Sequence, residues 1–245
     1  MDKALILAGG LGTRLRSEVS DVPKPMAPIQ GEPFLSYLLS HCRDHKIRHV
    51  YLSVGYMKEK IIEYYGHNFQ GLSLEYIQEV SPKGTGGAIS YAVEKAALLE
   101  PFFVFNGDSF FDVDLMEMKH QFLQSQAHMS MALYWQDNDP SRYGKVKISG
   151  EKITEFLEKG SAQAGLINGG VYYLSPQQIM PFVKSSVFSF EKDLLEKNIK
   201  HLEVQPFTNN KNNFFLDIGM PADYQKAQNS EFFKNMRYKT LEAHF

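Results

Sequence analysis

Short apolar runs alternate with segments of helical period through the first half of the chain. A short apolar run is typical of a buried strand, and apolar positions three and four apart are typical of a helix packed on one face. The predicted strands are residues 3–8, 49–54, 74–79 and 102–106. The predicted helices are residues 33–45, 58–65 and 85–99, the last with Ile89, Ala92, Val93, Ala96 and Leu99 on one face. This alternation predicts an α/β fold with a mostly parallel sheet and helices on both faces.

In the second half of the chain, strands follow one another with short turns. The predicted strands are residues 128–134, 145–148, 153–157, 167–174, 203–207 and 214–218. Short helices are predicted near residues 176–183 and 190–198, and a C-terminal helix begins near Pro221. No linker rich in proline or serine and no repeat interrupts this order. We therefore predict one domain over residues 1–245, with a first half to about residue 115 and a more antiparallel half from about residue 116.

The composition is that of an average globular protein of 245 residues, 43% hydrophobic and 22% charged. The formal net charge of -2 gives no field that would attract nucleic acid or an anionic membrane. Cys42 is the only cysteine, and its place on an apolar helical stripe predicts buried packing. The apolar run at residues 4–8 is too short for a signal peptide, and no run approaches the ~20 apolar residues of a membrane span. We expect a cytoplasmic protein.

A glycine-rich segment, Gly9-Gly10-Leu11-Gly12, follows the first predicted strand. Three glycines in four residues allow several backbone N–H groups to point at one anion, although a lone cluster of this kind is as typical of a tight turn. Arg14 adds a guanidinium suited to phosphate oxygens. Lys24 lies between two prolines, which predicts a stiff extended segment. Together with Arg16, these cations favour an anion site over a simple turn.

Two common phosphate-binding loops are excluded by the residues around these glycines. The dinucleotide fingerprint needs a third glycine where Leu15 stands, and a Walker loop needs a Gly-Lys-Ser/Thr sequence that is absent here. Residues 7–15, Leu-Ala-Gly-Gly-Leu-Gly-Thr-Arg-Leu, and residues 23–26, Pro-Lys-Pro-Met, resemble the signature of the sugar-1-phosphate nucleotidyltransferases. The resemblance implies a Rossmann-like mixed, mostly parallel sheet of the nucleotide-diphospho-sugar transferase type. It also implies that the first half binds nucleotide and the second half binds sugar.

The resemblance further implies roles for the loop residues. In the family, the glycine-loop amides and the arginine hold a nucleoside triphosphate, and the lysine bridges its phosphates or the attacking sugar phosphate. The expected nucleotide-binding residues are Leu7, Ala8, Gly9, Gly10, Gly12, Thr13, Arg14, Lys24, Glu79, Gly84, Thr85 and Asp108. The expected catalytic residues are Arg14, Lys24 and Asp108.

Two aspartates, Asp108 and Asp217, come at the ends of predicted strands with a glycine nearby. Carboxylates in such positions suit Mg²⁺, which proteins hold with one or two carboxylates plus phosphate oxygens and water, although turn and helix-cap roles are also ordinary for aspartate. Both positions match the metal aspartates of the family, so the resemblance implies Mg²⁺ as cofactor. For Asp112 and Asp114, turn and cap roles suffice. No spacing of histidine, cysteine and glutamate suggests zinc.

The loop before the third predicted helix contains Gly84, Gly86 and Gly87, which would leave room for a flat ring. Family members read the base here, and Glu79 stands at the position of the base reader. A carboxylate accepts from both N1–H and the exocyclic amine of guanine, which favours GTP, whereas an amide suits uracil or thymine better. A shift of one residue would make Gln78 the reader, and a solvated loop acid is the alternative role for Glu79.

The sugar-phosphate residues implied by the resemblance are Gly107, Glu158, Lys159, Asn168 and Gly169. In the family, the glutamate of the Glu-Lys pair binds sugar hydroxyls and the lysine binds the sugar phosphate. Gly160 stands where the family often has proline, so the resemblance does not fix the geometry of the loop after the pair. The amide of Asn168 would also suit sugar hydroxyls. Surface and turn roles are the alternatives for these residues.

Three segments most resemble the D-glycero-α-D-manno-heptose 1-phosphate guanylyltransferases: residues 19–28, Arg142-Tyr143-Gly144 and Asn168-Gly169-Gly170. The resemblance implies GTP and a heptose 1-phosphate as substrates and GDP-heptose as the product. The GDP-heptose would supply a bacterial surface glycan such as lipopolysaccharide, capsule or S-layer. Mannose 1-phosphate guanylyltransferases share most of these motifs and remain an alternative. We expect no nucleic-acid or membrane partner, and the sequence leaves a homo-oligomer open.

In the expected reaction, an oxygen of the sugar 1-phosphate attacks the α-phosphorus in line and pyrophosphate leaves. The nucleophile is already an anion, so alignment and charge neutralisation are expected to replace a general base. Two rival classes are a non-catalytic nucleotide-sugar sensor and a glycosyltransferase. A sensor would not need both aspartates and both lysines. A glycosyltransferase could use Asp112-Val113-Asp114 as a paired-aspartate metal motif, but it would not explain the glycine loop.

Overall fold

The structure, a computed structural model, describes residues 2–137, 142–157, 163–208 and 213–242. The chain separates into two compact units. The first consists of Met1–Pro82, Phe105–Asp112 and Phe214–Phe245, and the second of Lys83–Val104 and Val113–Asn213. This division does not test the expected single domain, which stays a prediction.

Strands and helices alternate along the described chain. The strands are β1 Lys3–Leu7, β2 Pro28–Ile29, β3 Glu32–Pro33, β4 His49–Val54, β5 Asn68–Phe69, β6 Leu72–Gln78, β7 Phe102–Asn106, β8 Ser109–Phe111, β9 Met129–Gln136, β10 Lys145–Ser149, β11 Lys152–Leu157, β12 Gly165–Leu174, β13 Val204–Thr208 and β14 Phe215–Asp217. The helices are α1 Phe34–Asp44, α2 Lys58–Tyr65, α3 Gly84–Lys95, α4 Leu115–Gln124, α5 Pro176–Ile179, α6 Pro221–Gln228 and α7 Glu231–Glu242. Thr13–Leu15, Lys24–Met26 and Met180–Phe182 form 3-10 turns, and Phe190–Glu196 is π-helical.

The first unit is built on parallel strands. β1 pairs in parallel with β4, and β4 pairs in parallel with β6, so the carboxyl ends of the three strands meet at one edge. β1 and β4 are buried on both faces, as their short apolar runs predict, whereas β6 alternates between buried and exposed residues. An aromatic cluster holds α1 and α7 against β8. Its members are Phe34, Tyr37, Phe110, Phe214, Phe232 and Phe233.

The second unit is largely antiparallel. β12 pairs antiparallel with both β9 and β10, β10 pairs antiparallel with β11, and β13 adds to β9 in parallel. Tyr173 of β12 is buried and packs against Phe103 and Phe122. The mixed α/β fold with a more antiparallel second half is confirmed.

Most predicted elements are confirmed, and residues 49–54, 58–65 and 102–106 match to the residue. The predicted apolar face of α3 is wrong at its end. Ala97 takes a left-handed conformation (φ 47°), the helix stops at Lys95, and Leu98 is buried while Leu99 is 64% exposed. The hairpin of β2 and β3, the strands β5 and β8, and helix α4 were not predicted.

Two further expectations concern single residues. Cys42 is fully buried, which confirms its packing role. The carboxylate of Asp114 accepts hydrogen bonds from the backbone of Met116 and Glu117, both at 3.0 Å, so it caps α4 as expected. Within the described residues, no helix has both the length and the apolar composition needed to cross a membrane.

Candidate active site

The glycine loop begins where β1 ends. The Ala8 N–H donates to the Ser53 carbonyl at 2.8 Å, which extends the pairing of β1 with β4 by one residue. Gly12 has φ +60° and starts the 3-10 turn at Thr13. A Cβ on Gly12 would lie 2.8 Å from the Cβ of Lys24, so both the conformation and the space require glycine. The loop thus runs directly against the segment that contains Lys24.

Arg14 follows in the 3-10 turn, and its side chain is exposed. It makes no hydrogen bond or ion pair with another described residue. Thr13 is likewise exposed at the start of the turn. Arg16, by contrast, lies over the ring of Tyr56, with its guanidinium carbon 4.8 Å from the centroid. Arg14 is therefore the arginine of this loop that is available to an anion.

Lys24 does not lie in an extended segment, and that prediction is wrong. Pro23 is extended, but Lys24 begins a 3-10 turn in which Met26 N–H donates to Pro23 O at 2.7 Å and Ala27 N–H to Lys24 O at 3.0 Å. The second position of such a turn suits Pro25, because its fixed φ is close to the helical value and its missing N–H would have no partner there. The turn directs the lysine ammonium into the first unit, where its side chain is only 13% exposed.

Asp108 and Asp217 come together through the pairing of β8 with β14. Ser109 pairs with Asp217 in this antiparallel ladder, and Ile218 N–H donates to Asp108 O at 2.9 Å. Asp108 is held beside the glycine loop because Gly107 N–H donates to Leu7 O at 3.1 Å. The two predicted metal aspartates are therefore neighbours at the end of β1.

Lys24 lies with these two carboxylates. Its Nζ donates to Asp108 Oδ2 at 2.6 Å, and a Cβ on Gly219 would lie 3.2 Å from the same Nζ. Gly219 N–H in turn donates to Asp217 Oδ1. The structure thus brings Lys24, Asp108 and Asp217 into one cluster from three distant parts of the chain.

The electrostatics of the cluster separate the two acids. Burial raises the pKa of Asp108, but the Lys24 ammonium and the hydroxyl of Ser109 outweigh burial and lower it below its ordinary value. Burial and the negative charge of Asp108 raise the pKa of Asp217 to about 6. One ammonium therefore does not offset two carboxylates, and the cluster has an excess of negative charge.

Glu79 follows β6 and lies half-buried beside the glycine loop. Its N–H donates to Val54 O at 2.8 Å, and its Oε1 accepts a hydrogen bond from Ser53 Oγ at 2.7 Å. Gln78 pairs with Val54, so side-chain alternation directs it to the opposite face of the sheet. Glu79 is therefore the better placed of the two candidate base readers, and its hydrogen bond argues against a freely solvated loop acid.

The loop residues predicted to leave room for a base lie in the second unit, and the space at Gly86 is filled. A Cβ on Gly86 would lie 2.1 Å from the Phe188 ring, and the N–H groups of Gly86 and Gly87 donate to Phe188 O. Thr85 Oγ1 donates to Glu191 and accepts from Phe190 N–H. The expectation of open space is wrong at Gly86, because Phe188 occupies it. Nucleotide binding by Gly84 and Thr85 stays a prediction.

Among the predicted sugar-phosphate residues, Asn168 and Gly169 lie in β12. The Asn168 amide donates to Tyr172 OH at 2.5 Å and accepts from Gly170 N–H at 3.0 Å, so it is held by its own strand. Glu158 and Lys159 lie outside the described residues.

Sequence reasoning missed Ser53. Its signal was a serine that interrupts the apolar run of β4, and only the strand register shows that it faces Glu79.

Within the described residues, no three histidine, cysteine, aspartate or glutamate side chains form a metal-binding group. A site with two carboxylates is nevertheless the kind that Mg²⁺ uses when phosphate oxygens supply further ligands.

A glycine loop and a lysine–aspartate cluster at the carboxyl ends of parallel strands are suited to binding phosphate groups together with a divalent cation. Residues 3–232 match the nucleotidyl transferase family, and the chain belongs to that family. This confirms the resemblance stated from residues 7–15 and 23–26.

Three similar proteins extend the comparison. The chain is 42% identical over 226 residues to the D-glycero-alpha-D-manno-heptose 1-phosphate guanylyltransferase of Aneurinibacillus thermoaerophilus, covering 92% of this chain and 96% of that protein. It is 40% identical over 223 residues to the protein of the same name from Campylobacter jejuni, covering 91% and 96%. The crystal structure of HddC from Yersinia pseudotuberculosis complexed with GMP-PN superposes with a TM-score of 0.80 at 34% identity, covering 94% of this chain and 99% of that one.

Proposed function

We propose that this protein transfers GMP from GTP to D-glycero-α-D-manno-heptose 1-phosphate, with Mg²⁺ as cofactor, and releases pyrophosphate. The observation that carries the proposal is the convergence of Lys24, Asp108 and Asp217 beside the glycine loop. Two relatives matched over nearly their whole length are guanylyltransferases of this heptose phosphate. HddC, with the same fold, was crystallised with GMP-PN. These likenesses support both the nucleotide and the sugar.

Asp108 and Asp217 are the residues that would hold Mg²⁺. Burial and the negative charge of Asp108 raise the pKa of Asp217, and a bound cation would relieve the repulsion between the two carboxylates. Oxygen donors in this number fit Mg²⁺, which takes its remaining ligands from phosphates and water. When bound, the ion neutralises phosphate charge and orients the reacting group.

The other residues of the cluster align and neutralise the phosphates. The exposed guanidinium of Arg14 is suited to the phosphate oxygens of GTP, and the Lys24 ammonium to the charge that develops at the α-phosphate. An oxygen of the sugar 1-phosphate forms the new bond to the α-phosphorus. The bond from that phosphorus to the oxygen bridging to the β-phosphate breaks, and the electron pair leaves with pyrophosphate. No side chain needs to remove a proton, because the attacking oxygen is already anionic.

Glu79 supports GTP as the nucleotide. Its carboxylate can accept from N1–H and from the 2-amino group of guanine together. Glu79 is half-buried beside Gly9, where solvent competes less. These hydrogen bonds are therefore stronger than they would be at an exposed site.

The proposal is tested by a grid of GTP, ATP, UTP and dTTP against heptose, mannose and glucose 1-phosphates, with release of pyrophosphate as the readout. We expect GTP with the heptose phosphate to give the highest kcat/KM, and EDTA to abolish turnover until Mg²⁺ is restored. A preference for mannose 1-phosphate would contradict the proposed sugar substrate and leave the proposed nucleotide and reaction unchanged.

Other outcomes contradict larger parts of the proposal. A preference for UTP or dTTP would remove Glu79 as a guanine reader. Absence of pyrophosphate with every pair would favour a nucleotide-sugar sensor. Sugar transfer from GDP-heptose without pyrophosphate would favour a glycosyltransferase.

A further inference from the structure

Ser53 is a fully buried polar residue near the end of β4. Its side chain is 0% exposed, and its Oγ donates to Glu79 Oε1 at 2.7 Å. A buried hydroxyl needs a hydrogen-bond partner, and a serine has one proton to donate. Ser53 therefore uses its proton on the carboxylate of the candidate base reader.

The strand register explains why these side chains meet. Ser53 pairs with Ile77 on β6, and Glu79 lies two residues beyond Ile77, so alternation brings it to the same face as Ser53. On the other side, Ser53 pairs with Leu7, and Gly9 lies two residues beyond Leu7. Three neighbouring parallel strands thus direct Gly9, Ser53 and Glu79 to one point.

The glutamate oxygen bound by Ser53 is also confined by the glycine loop. A Cβ on Gly9 would lie 2.8 Å from Glu79 Oε1 and 3.3 Å from Gly55 N. Oε1 is consequently held by a hydrogen bond on one side and lies close to the loop backbone on another. Rotation of the carboxylate about its Cγ–Cδ bond would move Oε1 and break its hydrogen bond with Ser53.

We propose that Ser53 is a positioning residue that sets the orientation in which Glu79 reads guanine. This inference rests on the proposed function, in which Glu79 accepts from N1–H and from the 2-amino group. Those two donors lie in the plane of the base, so a bidentate contact requires the carboxylate to share that plane. A carboxylate that rotates freely meets one donor well and the other poorly. Ser53 would thus act on base selectivity without touching the nucleotide.

Steady-state kinetics with GTP and ITP test this role, because ITP keeps N1–H and lacks the 2-amino group. In Ser53→Ala, we expect the GTP preference, measured as the ratio of kcat/KM values, to fall about three- to tenfold, the range of one hydrogen bond. The change should come from KM for GTP, while kcat and KM for the sugar 1-phosphate stay near the wild-type values. Ser53→Cys keeps the side-chain volume but is a weak donor, so it should show the same loss.

If Ser53 only fills space, Ser53→Cys will keep the wild-type preference for GTP over ITP, and the proposal is then wrong. Ser36→Ala is the matched control, because Ser36 is also buried and bonds to another side chain, Tyr65 OH, at 2.8 Å. It should lower thermal stability without changing the GTP preference. A thermal melt of each variant checks that it is folded.

A double-mutant cycle separates this inference from the proposed function. If Glu79→Gln leaves the GTP preference unchanged, the base-reading role of Glu79 fails, whatever Ser53 does. If Glu79→Gln removes the preference and both Ser53 variants retain it, only the role of Ser53 fails. In the Glu79→Gln background, Ser53→Ala should cause no further loss of preference, and a fully additive loss would show that Ser53 acts independently of Glu79.

Discussion

The Lys24 ammonium lies 2.6 Å from Asp108 Oδ2, although 84 residues separate the two in the chain. The lysine side chain is 13% exposed, and the aspartate side chain is 42% exposed, so solvent screens this pair incompletely. Asp217 is next to Asp108 through the pairing of β8 with β14. A single ammonium beside two carboxylates makes the three residues respond differently to substitution.

Asp217→Asn should abolish turnover but stabilise the protein in the absence of metal. The pKa of Asp217 is raised to about 6 from an ordinary value of 3.8, so its favourable contribution to folding is complete below about pH 4 and is lost as the pH rises through 6. Asparagine does not titrate and can still accept from Gly219 N–H. In EDTA, we expect the variant to melt a few degrees above the wild type at pH 8 and at the same temperature at pH 4.

Addition of Mg²⁺ and GTP supplies the control for this prediction. The wild type should gain thermal stability by ligand binding, and Asp217→Asn should gain little. Equal stabilisation of both proteins, or near-normal pyrophosphate release by the variant, would rule out Asp217 as a metal ligand.

Lys24→Met should lower kcat by about 100-fold or more, the usual scale for removing one group that stabilises transition-state charge. The variant should also melt below the wild type at pH 8 in EDTA, because Asp108 and Asp217 then lack a nearby cation. Lys147→Met is the matched control, since Lys147 is 72% exposed and pairs with Glu155 on the surface. An unchanged kcat in Lys24→Met would remove Lys24 from the catalytic residues.

Gly12→Ala should lose both stability and turnover. Alanine at φ +60° costs about 1–2 kcal/mol, and its Cβ would lie 2.8 Å from the Lys24 Cβ, which would displace the lysine. Gly150 also has φ +60° but has no atom within 4 Å of the position of its Cβ. Gly150→Ala should therefore lose a similar amount of unfolding free energy from the strained backbone, measured by urea denaturation, while kcat stays unchanged. If Gly12→Ala keeps full turnover, its contact with Lys24 does not matter for catalysis.

Glu79→Gln should reduce kcat/KM for GTP by about 10- to 100-fold, the discrimination expected of a bidentate base contact. UTP should lose much less, because the glutamine amide offers a donor as well as an acceptor to the uracil edge. The ratio of the two kcat/KM values is the readout. A parallel decline with GTP and UTP would indicate that Glu79 supports the loop rather than the choice of base.

The parts of the fold predicted well were those in which burial dominates. β1, β4 and β7 are short runs of apolar residues with no competing helical period, so their positions follow from the pattern. The end of α3 does not follow from the apolar pattern, because it depends on the left-handed conformation of Ala97, an unusual state for alanine. Carboxylates at strand ends pointed to Asp108 and Asp217, and the Pro-Lys-Pro segment beside the glycine loop pointed to Lys24. The structure brings the three residues together.

The contacts that were missed or misjudged join residues distant in sequence. A serine in an apolar strand has no distinctive pattern, and only its pairing with Ile77 on β6 shows that it faces Glu79. A glycine permits another group to approach the backbone closely, but its presence in the sequence does not identify that group. At Gly86 the neighbour is Phe188 of the same chain, whereas the sequence suggested a base. Spacing along the chain cannot identify such partners, because they are set by tertiary packing.

The discontinuity of the first unit has a consequence for biosynthesis. β8 finds its partner β14 only after residues 113–213, the larger part of the second unit, have been translated. A nascent chain that has not yet reached Asp217 lacks one of the two carboxylates, and its β8 edge is unpaired. The cluster of Lys24, Asp108 and Asp217 therefore forms among the last contacts during synthesis, and closing so long a loop is the kind of step that slows folding. Until then, the edge of β8 has no partner strand and is open to pairing with another chain.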